Sequence, residues 1–251
     1  MLECRGVAKT YRLKDRDVAA LRDFDLALPP GSFTVLVGPS GCGKTTALRL
    51  LAGLETPTRG TLTRGTGAAR VGYVFQEPRL MPWLSVARNV GFALEGRTAK
   101  PEIATRVADI LDVIGLHDFA NARPDQLSGG MASRAGLARA LVTKPELLLL
   151  DEPFAALDAM TRRRLQSELV ALWQRFRPTI VFVTHDIEEA VLLGDDICLM
   201  ENGVIAERFA NPILRPRDPT DPEIVRLRRA IIAGFEAGEA RKTRTPKEST
   251  I

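Results

Sequence analysis

Cysteine is scarce in this chain: Cys4, Cys42 and Cys198 are the only three among 251 residues. They lie far apart and in odd number, which excludes a disulfide framework and a Cys-x-x-Cys metal site and fits a reducing compartment. Histidine is scarcer still. His117 and His185 each lack a second ligand at a useful spacing, so a zinc site is excluded as well. Long apolar runs are missing. The longest, Leu147-Leu148-Leu149-Leu150, stops at Asp151-Glu152, far short of the roughly eighteen residues that span a bilayer. The opening Met1-Leu2-Glu3-Cys4-Arg5 carries charge at once and lacks the apolar centre of a secretory leader. A chain that stays in the cytoplasm and does not itself cross a membrane is expected. Blocks of one-signed charge are absent too: the net charge is +4, and basic residues are interspersed with acids along most of the sequence, without the stripe of a nucleic-acid binder. No nucleic-acid partner is expected. What remains, 45% hydrophobic and 26% charged residues, is the make-up of a soluble globular protein with a sizeable core.

Glycine stands where phosphate chemistry needs it. Gly38-Pro39-Ser40-Gly41-Cys42-Gly43-Lys44-Thr45 is a G-x-x-x-x-G-K-[ST] phosphate loop, placed after the apolar run 33–37 and before a helical pattern that opens at Thr46. Glycines take positive φ without steric cost, so successive backbone N–H groups can curl around a polyphosphate, and the next helix points its positive end at the same anion. Lys44 is expected to reach the β- and γ-phosphates and the Thr45 hydroxyl to join a Mg²⁺ shell. Cys42 falls at a variable position and reads as an incidental small side chain. The plainer alternative is a glycine-rich turn feeding a helix; the strand-loop-helix context argues against it.

The rest of the chain alternates in period. Residues 2–10 and 19–28 read as two strands of an antiparallel flank, joined by Lys14-Asp15-Arg16-Asp17. Two β-branched and aromatic runs follow at 60–63 and 71–75, punctuated by glycines. From 85 to about 141 apolar residues recur at three- and four-residue spacing, the pattern of helices. Continuous apolar strands return at 147–150 and 179–184 around a long helix at 160–176, as in a parallel sheet buried on both faces. The runs 196–200 and 203–206 bracket Glu201-Asn202-Gly203, a hairpin signal. Beyond Asn211 the chain is rich in Pro and charge, a short amphipathic segment lies near 224–235, and the last dozen residues are expected to be disordered.

Two further motifs carry chemistry. Asp151 and Glu152 end an apolar strand; such an Asp can hold Mg²⁺ through water, and the next carboxylate can orient the attacking water, which makes Glu152 the expected general base. Many strands end in a charged turn, and the pairing with a phosphate loop is what gives this one meaning. Between them lies Leu127-Ser128-Gly129-Gly130-Met131. Ser128 is a natural N-cap, and two glycines bare the N–H groups of a helix start, a second anion site. An ordinary Ser-capped helix is the alternative.

With these motifs in this order the chain resembles the ATP-binding cassette family, from Leu2 to about Phe209. The resemblance implies an α/β fold: a P-loop NTPase (RecA-like) core with an antiparallel β flank and an inserted α-helical subdomain. The ATPase domain would occupy 1–210, its helical subdomain about 85–143, and a charged, partly helical extension 211–251. ATP would be held by Tyr11, stacking on adenine, by residues 38–46, Thr46 included, and by Ser128 and Gly130 of a second chain, in a homodimer that closes head to tail. Mg²⁺ would fall to Thr45, Gln76 and Asp151, and catalysis to Glu152, to Gln76 beside the attacking water and to His185 at the γ-phosphate. Asp158, in Ala156-Leu157-Asp158, would cross the dimer interface. Singly, Gln76 could be a plain polar residue and Tyr11 part of a small cluster, whereas His117 reads as a solvated loop residue.

The stretches Gln76-Glu77-Pro78-Arg79-Leu80-Met81-Pro82-Trp83-Leu84-Ser85-Val86, 151–158 and Thr184-His185-Asp186 through Ala190 resemble one importer subgroup, the ATPases of nitrate, sulfonate and taurine uptake systems. That implies ATP-driven uptake of a small anion through separate integral membrane permease subunits, supplied by an extracytoplasmic solute-binding protein, with the chain peripheral on the cytoplasmic face of the inner membrane. Leu80, Met81 and Trp83 suit a groove in which a permease helix docks, or else local core packing. A soluble family member acting on nucleic acid, ribosome or cluster assembly, and an exporter ATPase, are the alternatives. The family mostly has Gln where this chain has Met131 and Ser133. Gly136 costs its helix about 1 kcal/mol relative to Ala, and close packing is the expected reason.

Overall fold

The computed structural model describes residues 2–64, 70–155 and 157–244; Ala156 and the end of the tail lie outside the described residues. In chain order the elements are β1 (Leu2–Arg12), β2 (Asp17–Leu28), β3 (Phe33–Val37), α1 (Lys44–Ala52), β4 (Arg59–Arg64), β5 (Val71–Val74), α2 (Val86–Gly91), α3 (Lys100–Val113), α4 (Gly129–Leu141), β6 (Leu147–Asp151), α5 (Ala159–Phe176), β7 (Thr179–Thr184), α6 (Ile187–Leu193), β8 (Asp196–Glu201), β9 (Val204–Ala210) and α7 (Pro222–Arg244). They fall into two compact units. One comprises 28–32 and 64–182; the other comprises 2–27, 33–63 and the chain from Val183 on.

The first unit holds β5, β6 and the first four residues of β7, with β6 between the other two strands. β5 and β6 run parallel, Val71 opposite Leu147 through Val74 opposite Leu150. Every residue of β6 is buried, which is why it reads as an uninterrupted apolar run rather than an alternating one. Helices α2, α3 and α4 pack against one another in the same unit. Ser85 caps α2, its hydroxyl accepting from the Arg88 N–H. The helix expected over 85–94 changes at Gly91, where a Cβ would come within 3.1 and 3.2 Å of Ile103 and Val107, and continues as a 3-10 turn over Phe92–Leu94. α5 is amphipathic and buries Leu165, Leu169, Leu172 and Trp173.

The second unit holds two sheets. In one the strand order is β2-β1-β4, so the expected two-stranded flank gains β4 on the free side of β1. In the other, fully buried β3 pairs in parallel with β8 from Thr34 opposite Asp196 to Val37 opposite Leu199, and β8 turns back antiparallel into β9. Asn202 and Gly203 take φ of 47° and 83° in that turn, the pair of left-handed residues a tight hairpin needs.

The tail departs from expectation. α7 extends to Arg244, so residues 240–244 are helical where disorder was expected, and it packs on α6, β8 and β9. Gly234 and Gly238 read in sequence as weak helix formers, yet they let α7 lie directly against the carboxylates of Glu207 and Glu201. Tertiary packing overrides propensity here. Before α7, residues 211–217 grip the end of α6. Arg217 donates to the carbonyl oxygens of Gly194 at 2.7 Å and Ile213 at 2.8 Å and to Asp195 at 2.7 Å, while Asn211 donates to Val191 O at 2.7 Å. Burial and the nearby Arg215 charge pull the Arg217 pKa below its usual value, against the opposing pull of Asp195.

Candidate active site

The phosphate loop belongs to the second unit. Gly43 sits at φ 108°, and a Cβ there would stand 2.4 Å from the Ala20 carbonyl oxygen; a Cβ on Gly38 would stand 2.4 Å from that of Met200. Both obstacles are backbone and cannot give way, so glycine is required at both positions. The β8–β9 turn braces the loop: the Gly203 N–H donates to Cys42 O and the Arg22 N–H to Gly203 O, each at 3.0 Å. Gly43 gives α1 no side-chain cap and its first turn holds no acid, so the positive end of the helix dipole is not offset by a local carboxylate and favours an anion. Lys44, 5% exposed, donates to Gly38 O at 2.7 Å and Pro39 O at 3.0 Å and lies 3.9 Å from Cys42 Sγ. Ser40 and Gly41 are exposed at the lip, and Thr45 and Thr46 are half-buried.

Tyr11 belongs to the second unit too, its hydroxyl near Thr46 in the first turn of α1. The same hydroxyl donates to Glu55 Oε2 at 2.5 Å, and Lys9 lies 5.2 Å from the ring centroid. Burial and the Glu55 contact raise the Tyr11 pKa. Desolvation opposes ionisation of Glu55, but the hydrogen bonds from Tyr11 and Lys9 and the charges of Lys9 and Arg49 outweigh it and hold its carboxyl below the ordinary range. The second unit also carries His185, exposed on a turn. Behind it the Thr184 hydroxyl donates to the buried Glu189 carboxylate at 2.6 Å and accepts from the Asp186 N–H at 3.0 Å, while Asp186 caps α6.

The remaining site residues belong to the first unit. Asp151 ends β6, 7% exposed, and its Oδ2 accepts from the Tyr73 hydroxyl at 3.0 Å. Glu152 follows at φ 45°, a left-handed turn that starts a new chain direction. Gln76 lies exposed in a bend two residues past the end of β5. Ser128 caps α4 by accepting from the Met131 N–H at 3.3 Å; a Cβ on Gly129 would meet nothing, whereas one on Gly130 would stand 2.8 Å from Thr161 Cγ2. That contact ties the start of α4 to the start of α5. There Asp158 accepts from the N–H groups of Met160 and Thr161 at 3.1 and 3.0 Å, bonds that, with the Thr161 backbone first, hold its pKa low.

The segment after Gln76 is fastened at both ends. Arg139 of α4 donates to Pro78 O at 2.7 Å and Arg79 O at 2.8 Å, and burial lowers its pKa. Fully buried Asn89 accepts from the Met81 N–H at 2.7 Å and donates to the carbonyls of Met81, Leu84 and Ser85, each at 3.1 Å. Between these anchors Trp83 is 71% exposed and Leu80 and Met81 are half-buried. Sequence reasoning missed Tyr73, Glu55, Asn89 and Arg139. A Tyr two strand positions from Phe75 and an Asn inside an apolar helical run were the available signals. Among the described residues no cluster of His, Cys, Asp and Glu could hold a metal by itself, and no helix is long and apolar enough to cross a membrane.

A glycine-bearing phosphate loop between a buried strand and an uncapped helix, with an acidic strand end and a Ser-Gly-Gly helix start on the same chain, defines a P-loop nucleoside-triphosphate hydrolase. The ABC transporter family profile matches residues 21–155. An aliphatic sulfonates import ATP-binding protein of Nocardia farcinica is 49% identical over 84% of this chain and 83% of its own. One from Paracoccus denitrificans is 48% identical over 91% and 89%. Among solved structures, a dimeric ATP-binding cassette in a post-hydrolysis state bound to ADP and Pi has a TM-score of 0.76 at 31% identity, over 85% of this chain and all of its own. The chain belongs to the ABC transporter family and is an ATP-binding cassette ATPase.

Proposed function

We propose that this ATPase energises import of an aliphatic sulfonate through separate membrane permease subunits, as a homodimer on the cytoplasmic face of the membrane. The observation that carries the reading is the similarity, 43% to 49% identity over most of the chain, to proteins that all bear the name of sulfonate importers. ATP at Lys44, Thr45 and Thr46 of one chain is covered by Ser128 and Gly130 of the other, with Tyr11 against the adenine. Thr45, Asp151 and Gln76 offer the hard oxygen donors that suit Mg²⁺, which when bound would neutralise charge on the phosphates. Glu152 takes the proton of the attacking water, and His185 donates to the γ-phosphate. Closure shifts the helices of 85–143, and the segment with Leu80, Met81 and Trp83 passes that shift to a permease helix seated on it.

ATP turnover by the purified chain, measured alone and with its permease in lipid, tests the proposal. Stimulation by a solute-binding protein loaded with an alkanesulfonate, and not with nitrate, is the expected result. Equal turnover with and without an assembled permease would overturn import; stimulation by nitrate alone would overturn the solute.

A further inference from the structure

We infer that Tyr73 is a positioning residue for Asp151, an inference that rests on the proposed place of Asp151 in the Mg²⁺ shell. Its hydroxyl donates to Asp151 Oδ2 at 3.0 Å. The register explains the reach. Tyr73 stands opposite Leu149 on parallel β6, and Asp151, two residues on, shares the Leu149 face of the sheet. A phenol is long enough to run along that face to the carboxylate.

The phenol is itself held still. The Phe75 ring lies against it, centroids 4.4 Å apart and planes at 40°. The Arg79 guanidinium covers Phe75 at 4.6 Å, and Arg139 of α4 holds the carbonyls of Pro78 and Arg79. A fixed donor on an ionised carboxylate makes a charge-assisted hydrogen bond and sets the carboxylate's rotation. Ligands oriented in this way bind cations more tightly than ones left to turn. A neutral donor also leaves the negative charge in place, which Lys or Arg at this position would offset. A merely structural bond would protect stability and leave cation affinity untouched.

Tyr73→Phe removes the hydroxyl and keeps the ring and its stack. The test is a Mn²⁺ titration followed by electron paramagnetic resonance, on full-length protein saturated with a non-hydrolysable ATP analogue, with Asp151→Asn alongside and thermal melts on each. Tyr73→Phe is expected to weaken Mn²⁺ by about 10-fold. Nucleotide affinity in EDTA should stay unchanged, and turnover lost at low Mg²⁺ should return at high Mg²⁺. Wild-type Mn²⁺ affinity in Tyr73→Phe, with or without a lowered melting temperature, overturns the inference while weakened binding in Asp151→Asn keeps the site. Unchanged affinity in both variants removes Asp151 from the metal site and the inference with it.

Discussion

The Lys44 ammonium donates to the Gly38 carbonyl oxygen across 2.7 Å, so the cation of the phosphate loop is already drawn into the loop it serves. A phosphate has only to exchange places with carbonyls, and little side-chain order remains to be imposed. Lys44→Ala should weaken nucleotide binding by at least about 10-fold and leave the buried Gly38 carbonyl without this donor, costing about 1–3 kcal/mol of stability. Titration with a fluorescent ATP analogue and a thermal melt read the two effects; unchanged affinity would take the loop out of the site.

Glu152→Gln keeps the size of a side chain at φ 45° and removes its basicity. ATP binding should persist, turnover should fall by at least about 100-fold, and closed dimers should accumulate with ATP on gel filtration. Full activity would strip Glu152 of its role.

Gly136→Ala should stabilise the protein by about 0.5–1 kcal/mol, the entropy of a helical glycine recovered. Sequence suggested close packing at this site, but the nearest neighbour of an added Cβ is Pro78 at 3.5 Å, an ordinary contact. Urea unfolding decides, and a net loss would show the helix face to be tighter than this distance indicates.

Strand and helix positions were largely legible because burial writes period into sequence: Thr179–Thr184 was bounded to the residue, and Ser128 declared itself a helix cap. What stayed hidden were side chains meeting across long separations. Tyr73 and Asp151 are 78 residues apart and Tyr11 and Glu55 are 44 apart, and no local pattern encodes such pairs. The length of α7 was hidden for the opposite reason. Its glycines look unfavourable locally and are favourable only against β8 and β9.

Burial pushes the Cys198 thiol up to about 12, with the charge of Asp196 adding to it. The unfolded thiol ionises first, near ~8.5. The stabilising contribution is therefore complete below that pH and declines as pH rises toward 12. Thiol reagents at pH 8 should leave Cys198 unlabelled in native protein, as judged by peptide mass, and Cys198→Ala should flatten the alkaline fall in melting temperature. Rapid native labelling would contradict this.

Asn89→Ala removes one acceptor and two donors from the segment around Trp83. A loss of about 2–3 kcal/mol is expected, together with loss of permease stimulation at near-normal turnover of the isolated chain. Retained stimulation would show that the segment holds its shape without Asn89.

The brace behind the phosphate loop comes from far along the chain. Gly203 supports Cys42, and Thr34 finds its parallel neighbour in Asp196. A ribosome that has delivered Gly38 through Thr45 has therefore released a nucleotide loop with no wall behind it, and about 150 more residues, at 5–20 per second, must follow before the wall exists. ATP can reward folding only once Gly203 has been made, so the early chain depends on its apolar strands alone to stay out of trouble.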